Sequence, residues 1–339
     1  MRAPADFQLP DSYCVPEGEQ IGRILSQEKS GYLCISNAGQ HPAVISGKLR
    51  HRANTPADYP VVGDYVLTSE GGRVIQKILP RKSVILRKAA GGTYVEQVVA
   101  ANLDTVFICM SLNRDFNLRR MERYLSVVWD SGATPVIVLT KSDLCSDLPE
   151  RIRQLDEISF GTNVVVTSAK EPGSGQKLLP YVGSGKTAVF LGSSGVGKST
   201  LINCLLGEER LAVNGIRKDD KGRHTTTRRQ LLFLKNGGMV IDTPGMRELG
   251  LWVDHGGLEQ SFADLEALAA HCRFSDCTHG KEPGCKVQEA IAAGTFPQER
   301  LISYQKLKAE QEYCENTTAY LEKKKQKFKE IAKLNQHRS

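Results

Sequence analysis

Gly192-Ser193-Ser194-Gly195-Val196-Gly197-Lys198-Ser199 is the stretch on which the reading of the fold turns. The apolar run Thr187-Ala188-Val189-Phe190-Leu191 before it suits a buried parallel strand, and the spacing over 199–206 predicts a helix packed on the same sheet. Strand, glycine turn and helix are the context a phosphate-binding loop requires, which a glycine-rich surface turn does not share. Gly192, Gly195 and Gly197 carry no Cβ, so the backbone N–H groups of this turn, with Ser193, Ser194 and Val196, can wrap a triphosphate. Lys198 supplies positive charge to the outer phosphates, the Ser199 hydroxyl suits Mg²⁺, and Thr200 follows them into the nucleotide site. Gly183-Ser184-Gly185-Lys186-Thr187 looks similar but is a decoy: Pro180 stands where the first glycine belongs, and a strand follows.

Working outward, Met239-Val240-Ile241 predicts a strand that ends on Asp242, the first residue of Asp242-Thr243-Pro244-Gly245. A carboxylate there is placed to hold the magnesium ion, and the Gly245 N–H to sense a γ-phosphate. Upstream of the loop lie Thr140-Lys141-Ser142-Asp143 and Thr167-Ser168-Ala169-Lys170, each after an apolar strand candidate, 135–139 and 163–166. Asp143 can accept two hydrogen bonds from the N1–H and N2–H₂ edge of guanine, which adenine does not offer. Lys141 would lie along the base, with Ser142 beside it. Ser168 belongs to the same base-binding set, and the Ala169 N–H would reach O6. These are the parts of a guanine-nucleotide switch in rotated order, base-reading before phosphate-binding, which implies a circularly permuted P-loop domain. Strand candidates at 104–109, 188–191 and 230–234 and a helix at 118–129 support a doubly wound α/β architecture.

Two positions depart from the common switch pattern. Thr140 replaces the usual asparagine, so bracing of the phosphate loop is expected to weaken. Met246 occupies the place of a water-orienting glutamine, and an apolar side chain cannot orient water; hydrolysis must rely on another group and on a partner that supplies order. His224, in Gly222-Arg223-His224-Thr225-Thr226-Thr227, is the first candidate for that group, the alternative being a solvated loop histidine. One of the three threonines, Thr225, Thr226 or Thr227, should complete the Mg²⁺ shell when GTP is bound, with Lys198 and the Thr225 loop serving catalysis.

Cys272, Cys277, His279 and Cys285 fall within fourteen residues, a four-ligand soft set suited to one structural Zn²⁺ with no position left open for catalysis. The chain has nine cysteines; the rest are scattered, a reduced, cytosolic pattern and not a disulfide framework. Before the nucleotide motifs, short β-rich runs at 20–27, 31–36, 43–49, 64–69 and 73–79 predict a five-strand OB-type barrel, with basic segments 41–52 and 80–88 available for RNA phosphate. A docking module without RNA contact is the alternative. Net charge is +7 and the isoelectric point about 8.9. From Thr318 onward seven Lys/Arg oppose two Glu, which predicts a basic amphipathic C-terminal helix. No secretory or transit-like leader and no membrane-spanning run is expected.

Together these features resemble the RsgA-type family of small-subunit-dependent GTPases of bacteria and plastids. The most specific marks are the motif order, Gly222-Arg223-His224-Thr225-Thr226-Thr227, Asp242-Thr243-Pro244-Gly245-Met246-Arg247-Glu248, and the Cys272/Cys277/His279/Cys285 set. The resemblance implies a multidomain α/β protein: an OB-type barrel at 1–88, a circularly permuted P-loop GTPase domain at 89–254, and a helical zinc-binding domain at 255–339. It implies a cytoplasmic, monomeric late maturation factor that takes GTP or GDP with Mg²⁺. Such a factor binds the 30S ribosomal subunit and its 16S rRNA in the GTP state and leaves on hydrolysis. A non-hydrolysing GTP-binding RNA scaffold and a large-subunit assembly GTPase remain alternatives.

Overall fold

Strand β1 (Gln20–Glu28) is long enough to serve two partners, and that length closes a barrel. The computed structural model describes residues 15–88, 96–159, 161–211, 229–243 and 256–315. Within it, β2 (Gly31–Ser36), β3 (Gly39–Ile45), β4 (Tyr65–Ser69) and β5 (Val74–Ile78) follow β1 in the order β1-β2-β3-β5-β4. The first half of β1, Gln20 to Arg23, pairs with β4, and the second half, Arg23 to Glu28, pairs with β2. Closure removes the unpaired edges that a flat five-strand sheet would present. Ile24, Tyr32, Cys34, Ala43, Val66 and Ile75 fill the interior, and burying an aliphatic side chain of this kind contributes roughly 1.5–3 kcal/mol.

The expected barrel is present, with one boundary corrected. The strand read over 43–49 stops at Ile45, because the Ser46 hydroxyl accepts the Leu49 N–H at 3.1 Å and opens helix α1 (Gly47–Arg52). An N-cap of this type stabilises a helix by about 1 kcal/mol. Leu49 then packs against the barrel core.

An antiparallel ribbon, β6 (Val84–Lys88) with β7 (Glu96–Ala101), leads out of the barrel; the sequence reading left it unassigned. The barrel strands belong to one eleven-stranded sheet, whose other part contains β8 (Thr105–Ser111), β9 (Thr134–Thr140), β10 (Asn163–Val166), β11 (Thr187–Leu191), β12 (Gln230–Phe233) and β13 (Met239–Asp242). The order of that part is β10-β9-β8-β11-β13-β12, parallel except for β12, which runs antiparallel to β13. β8 and β11 are buried along their whole length, as strands covered on both faces must be. Helices α2 (Leu118–Asp130), α3 (Leu148–Asp156) and α4 (Lys198–Leu206) connect the strands. The Asn117 side chain caps α2 by accepting the Arg120 N–H.

Barrel and sheet share one compact unit, Met1–Leu251. β1 pairs with β12 at Ser26 and Gln230. Beside that bridge Arg23 is 1% exposed. Its guanidinium donates to Gly63 O (3.2 Å), Thr187 Oγ1 (2.8 Å) and Asn102 O (3.3 Å), and it lies 4.7 Å from the Tyr65 ring centre. A buried cation is tolerated only when so enclosed by acceptors.

The second unit, Trp252–Ser339, is helical: α5 (Gly257–Ser261), α6 (Ala263–Ala269), α7 (Lys286–Ala292) and α8 (Gln298–Glu315). α5 and α6 would form one helix but for a single residue. Phe262 breaks it at φ −117°, ψ 34°, its buried ring held under the Arg300 guanidinium at 4.6 Å and edge-on to Tyr304 at 5.4 Å. The basic helix read beyond Thr318 lies outside the described residues. No helix among the described residues is long and apolar enough to cross a membrane.

Candidate functional site

Because β10, β9, β8, β11 and β13 run parallel, their C-terminal ends meet at one edge: Val166, Thr140, Ser111, Leu191 and Asp242. Chain order reverses between β8 and β11, the place where open α/β sheets bind ligands. The phosphate loop spans the turn from β11 to α4. Gly192 has φ +146°, and a Cβ there would stand 2.4 Å from the Cys109 carbonyl oxygen, so only glycine fits. Val196, buried in the core below, anchors the loop. Lys198 Nζ donates to the Gly192 and Ser193 carbonyl oxygens, both at 2.6 Å, which fixes the ammonium over the turn. Ser199 and Thr200 occupy the first turn of α4.

The base-reading loops are tied to this turn and to each other. The Thr140 hydroxyl donates to Val196 O at 2.6 Å, so the threonine makes a brace despite its departure from asparagine. Lys141 adopts left-handed backbone (φ 58°), and Ser142 N donates to Thr167 O at 3.3 Å. Asp143 accepts from the Ser168 hydroxyl at 2.5 Å and from Lys170 Nζ at 2.8 Å. Lys170, then Ser168, hold the Asp143 carboxyl below the usual range. An ionised carboxylate is the acceptor-only group a guanine edge needs. Ala169 follows the buried Ser168 in the same loop.

Asp242 ends β13, hydrogen-bonded in parallel to β11 through the strands' earlier residues. Burial pushes its carboxyl up to about 6, with Lys198 pulling the other way. A half-desolvated carboxylate and the Ser199 hydroxyl, at the ends of neighbouring strand-to-loop units, are hard oxygen donors of the kind Mg²⁺ takes, so the residues fit that ion. His224, Thr225, Thr226, Thr227, Gly245 and Met246 lie outside the described residues.

Asp115 escaped the sequence reading. It accepts from the Ser193 hydroxyl and, at 2.6 Å, from Arg120 Nη1. Burial pulls its carboxyl up, but Ser193, Arg120 and Lys141 outweigh that and hold it low. Asn113 Oδ1 shapes the turn by accepting from Asp115 N at 3.0 Å and the Ser111 hydroxyl at 2.9 Å. No motif spacing marks this aspartate; only the three-dimensional turn brings it to the phosphate loop.

Thr140→Val keeps the shape and removes the brace, leaving a buried Val196 carbonyl without its donor. Such a loss costs roughly 1–3 kcal/mol, so guanine-nucleotide affinity should fall about tenfold, read by titration of a fluorescent GDP analogue. Unchanged affinity would show that the brace is idle.

In the second unit the four proposed zinc ligands do come together, every ligand atom within 4.8 Å of the others. Cys272 Sγ is 3.7 Å from His279 Nδ1, Cys285 Sγ is 3.6 Å from it, and the two sulfurs are 4.0 Å apart. Tetrahedral Zn²⁺ separates neighbouring S and N ligand atoms by roughly 3.5–3.8 Å, so the set fits. His279 sits at φ 58°, and Gln288 donates to its carbonyl at 2.6 Å, which fixes the backbone that presents the ring.

Comparison with known proteins agrees with this geometry. The RsgA GTPase family model matches residues 78–252. The small ribosomal subunit biogenesis GTPase RsgA 2 of Lactiplantibacillus plantarum is 50% identical over 313 residues, covering 91% of this chain and 88% of its own. Its namesake from Vibrio vulnificus is 45% identical over 322 residues, covering 95% and 89%. Among solved structures, YjeQ from Thermotoga maritima superposes with a TM-score of 0.65 at 27% identity, covering 86% of this chain and 98% of that one. YloQ, described as a circularly permuted GTPase, gives 0.61 at 24% identity over 87% and 96%, a likeness of fold. At such identity over such length, the chain belongs to the RsgA GTPase family: it is a circularly permuted GTP hydrolase.

Proposed function

We propose that this protein acts in late maturation of the 30S ribosomal subunit, binding it and its 16S rRNA with GTP and leaving on hydrolysis. It would work as a cytoplasmic monomer built from domains 1–88, 89–254 and 255–339. The observation that carries the nucleotide part is the pair of bonds Thr140–Val196 and Asp143–Ser168, which knit motifs from both sides of the permuted order into one strand-end edge.

Each residue has a chemical task in this reading. Asp143 and Ala169 read the guanine edge, with Thr140, Lys141, Ser142 and Ser168 shaping the pocket. The backbone from Gly192 to Gly197 cradles the phosphates, and Thr200 stands at the helix start behind them. Lys198, held by two carbonyls, meets the charge that grows on the outer phosphates without having to reorganise. Ser199, Asp242 and one threonine of Thr225, Thr226 and Thr227 would hold Mg²⁺, which when bound would neutralise phosphate charge. Gly245 reports the γ-phosphate. His224 positions the attacking water, a task Met246 is chemically unable to perform. Cys272, Cys277, His279 and Cys285 hold a Zn²⁺ that serves folding alone.

The decisive experiment measures GTP turnover with purified ribosomal subunits. Small subunits should raise the rate by at least about tenfold, as partner-supplied order does for other slow GTPases; large subunits should not. Stimulation by large subunits alone would reassign the partner, and no turnover with either would turn the protein into a GTP-binding scaffold.

A further inference from the structure

We propose that Asp115 is a positioning residue for GTP hydrolysis. Through the Ser193 hydroxyl it fixes the front of the phosphate loop and, through the carbonyl of the same residue, the seat of the Lys198 ammonium. This role rests on the reading of residues 192–199 as the phosphate loop.

The chain of contacts is continuous. The Asp115 carboxylate accepts from the Ser193 hydroxyl, and the Ser193 carbonyl accepts from Lys198 Nζ at 2.6 Å. Ser193 is thereby held at its side chain and at its backbone, and the side-chain hold comes from outside the loop. A peptide unit is planar, so the direction of the Ser193 carbonyl also sets that of the Ser194 N–H. With the hydroxyl released, this unit can turn about its flanking dihedrals and take away one of the two oxygens that seat Lys198. The far end of the loop is tethered separately, by the Thr140 hydroxyl on Val196 O. Ser194 and Gly195 are exposed between the two tethers.

Asp115 is itself built to stay in place. Its loop runs from the end of β8 to the start of α2 and is braced at both ends. Asn113 Oδ1 accepts from the Ser111 hydroxyl (2.9 Å) and from Asp115 N (3.0 Å), and Phe116 N donates to Asn113 O (3.1 Å). Asn117 then caps α2. From α3 the Arg151 guanidinium lies over the Phe116 ring, 4.8 Å from its centre. A side chain supported in this way keeps the geometry that a site requires.

An anion beside a polyphosphate site repels the ligand unless it is countered. Arg120, in the first turn of α2, counters Asp115 at 2.6 Å. Burial pulls the Asp115 carboxyl up, while Ser193, Arg120 and Lys141 hold it low, so it stays an anion and an acceptor. The pair is neutral as a unit: it grips the loop without presenting net charge to the phosphates. An ion pair that merely anchored α2 would have no use for Ser193.

The test measures, in the full chain, single-turnover GTP hydrolysis at saturating nucleotide and GDP affinity by titration of a fluorescent analogue. Asp115→Ala should slow hydrolysis roughly tenfold, the scale of one charge-assisted hydrogen bond that preorganises a site, with GDP affinity within about threefold of wild type. Ser193→Ala should give a similar loss. The double variant should be no more than about twofold slower than the slower single one, because both changes remove the same bond. Asp115→Asn keeps a hydrogen-bonding partner for Ser193 without the charge and should recover to within about threefold of wild type. Melting temperature checks folding; if Asp115→Ala does not fold, Ser193→Ala, which deletes one oxygen, decides alone. Normal hydrolysis in either single variant, losses that multiply in the double, a loss confined to GDP affinity, or no recovery with asparagine would overturn the proposal. Lys198→Ala is the control: normal turnover there would overturn the phosphate-loop reading itself, whereas a slow Lys198→Ala beside a normal Asp115→Ala removes only the positioning role.

Discussion

Replacing Lys198 by alanine is expected to lower GTP turnover about 10³-fold while leaving the melting temperature nearly unchanged. A fixed, preorganised donor at the site of developing charge contributes roughly 3–4 kcal/mol to the transition state, which sets that scale. The geometry makes Lys198 such a donor: two carbonyl oxygens at 2.6 Å hold its ammonium before any substrate arrives. Ser199→Ala should give a loss of similar order and raise the Mg²⁺ concentration needed for turnover, because it removes a proposed metal ligand. Single-turnover rates at saturating nucleotide separate chemistry from binding. Normal turnover in Lys198→Ala would move the phosphate site elsewhere.

Removing Cys277, one of the four proposed zinc ligands, should be the most destructive single change in the second unit. The stretch from Cys272 to Cys285 contains no helix or strand, so the ligand cluster takes the place of a core there. Among the described residues of this unit the buried apolar side chains, Leu258, Phe262, Leu265, Val287, Phe296, Leu301, Tyr304 and Leu307, lie outside that stretch. Structural zinc contributes on the order of 10 kcal/mol or more to folding, comparable with the whole stability of a small domain. Cys277→Ala, or a strong chelator, should therefore abolish protection of 256–315 from proteolysis and weaken small-subunit binding. GDP affinity, which belongs to the other unit, should persist. A unit that stays folded and protease-resistant without zinc would exclude a structural metal centre.

Residues whose role depends on local spacing were legible in the chain itself. Gly192 to Ser199 and the Cys272/Cys277/His279/Cys285 set belong to this class, since a tight turn or a metal imposes its spacing on sequence. Residues whose role depends on a distant partner were not. Asp115 reaches Ser193 across seventy-eight positions, and Arg23 reaches Thr187 across one hundred and sixty-four. In a one-dimensional pattern Arg23 is merely a charge interrupting a strand. α1 was hidden for a different reason: Ala43, Val44 and Ile45 favour a strand, and the cap at Ser46 that ends it looks like any serine. Ion pairs within the basic segment 80–88, such as Arg81–Asp64, were hidden for the same reason as Arg23: they need the fold to form.

The strand order has a consequence for how the protein is made. Strands β8, β9 and β10 form one contiguous half of the nucleotide sheet, and β11, β12 and β13 form the other, meeting only along β8 and β11. During translation the half that carries the proposed guanine-reading residues Asp143 and Ser168 leaves the exit tunnel first, with one side of β8 awaiting a neighbour. A nascent polypeptide that stops short of Gly192 still lacks the phosphate loop. In the proposed site GTP would span the seam of the completed sheet and staple its two halves, so the ligand this enzyme consumes would also help to hold its newest copy together.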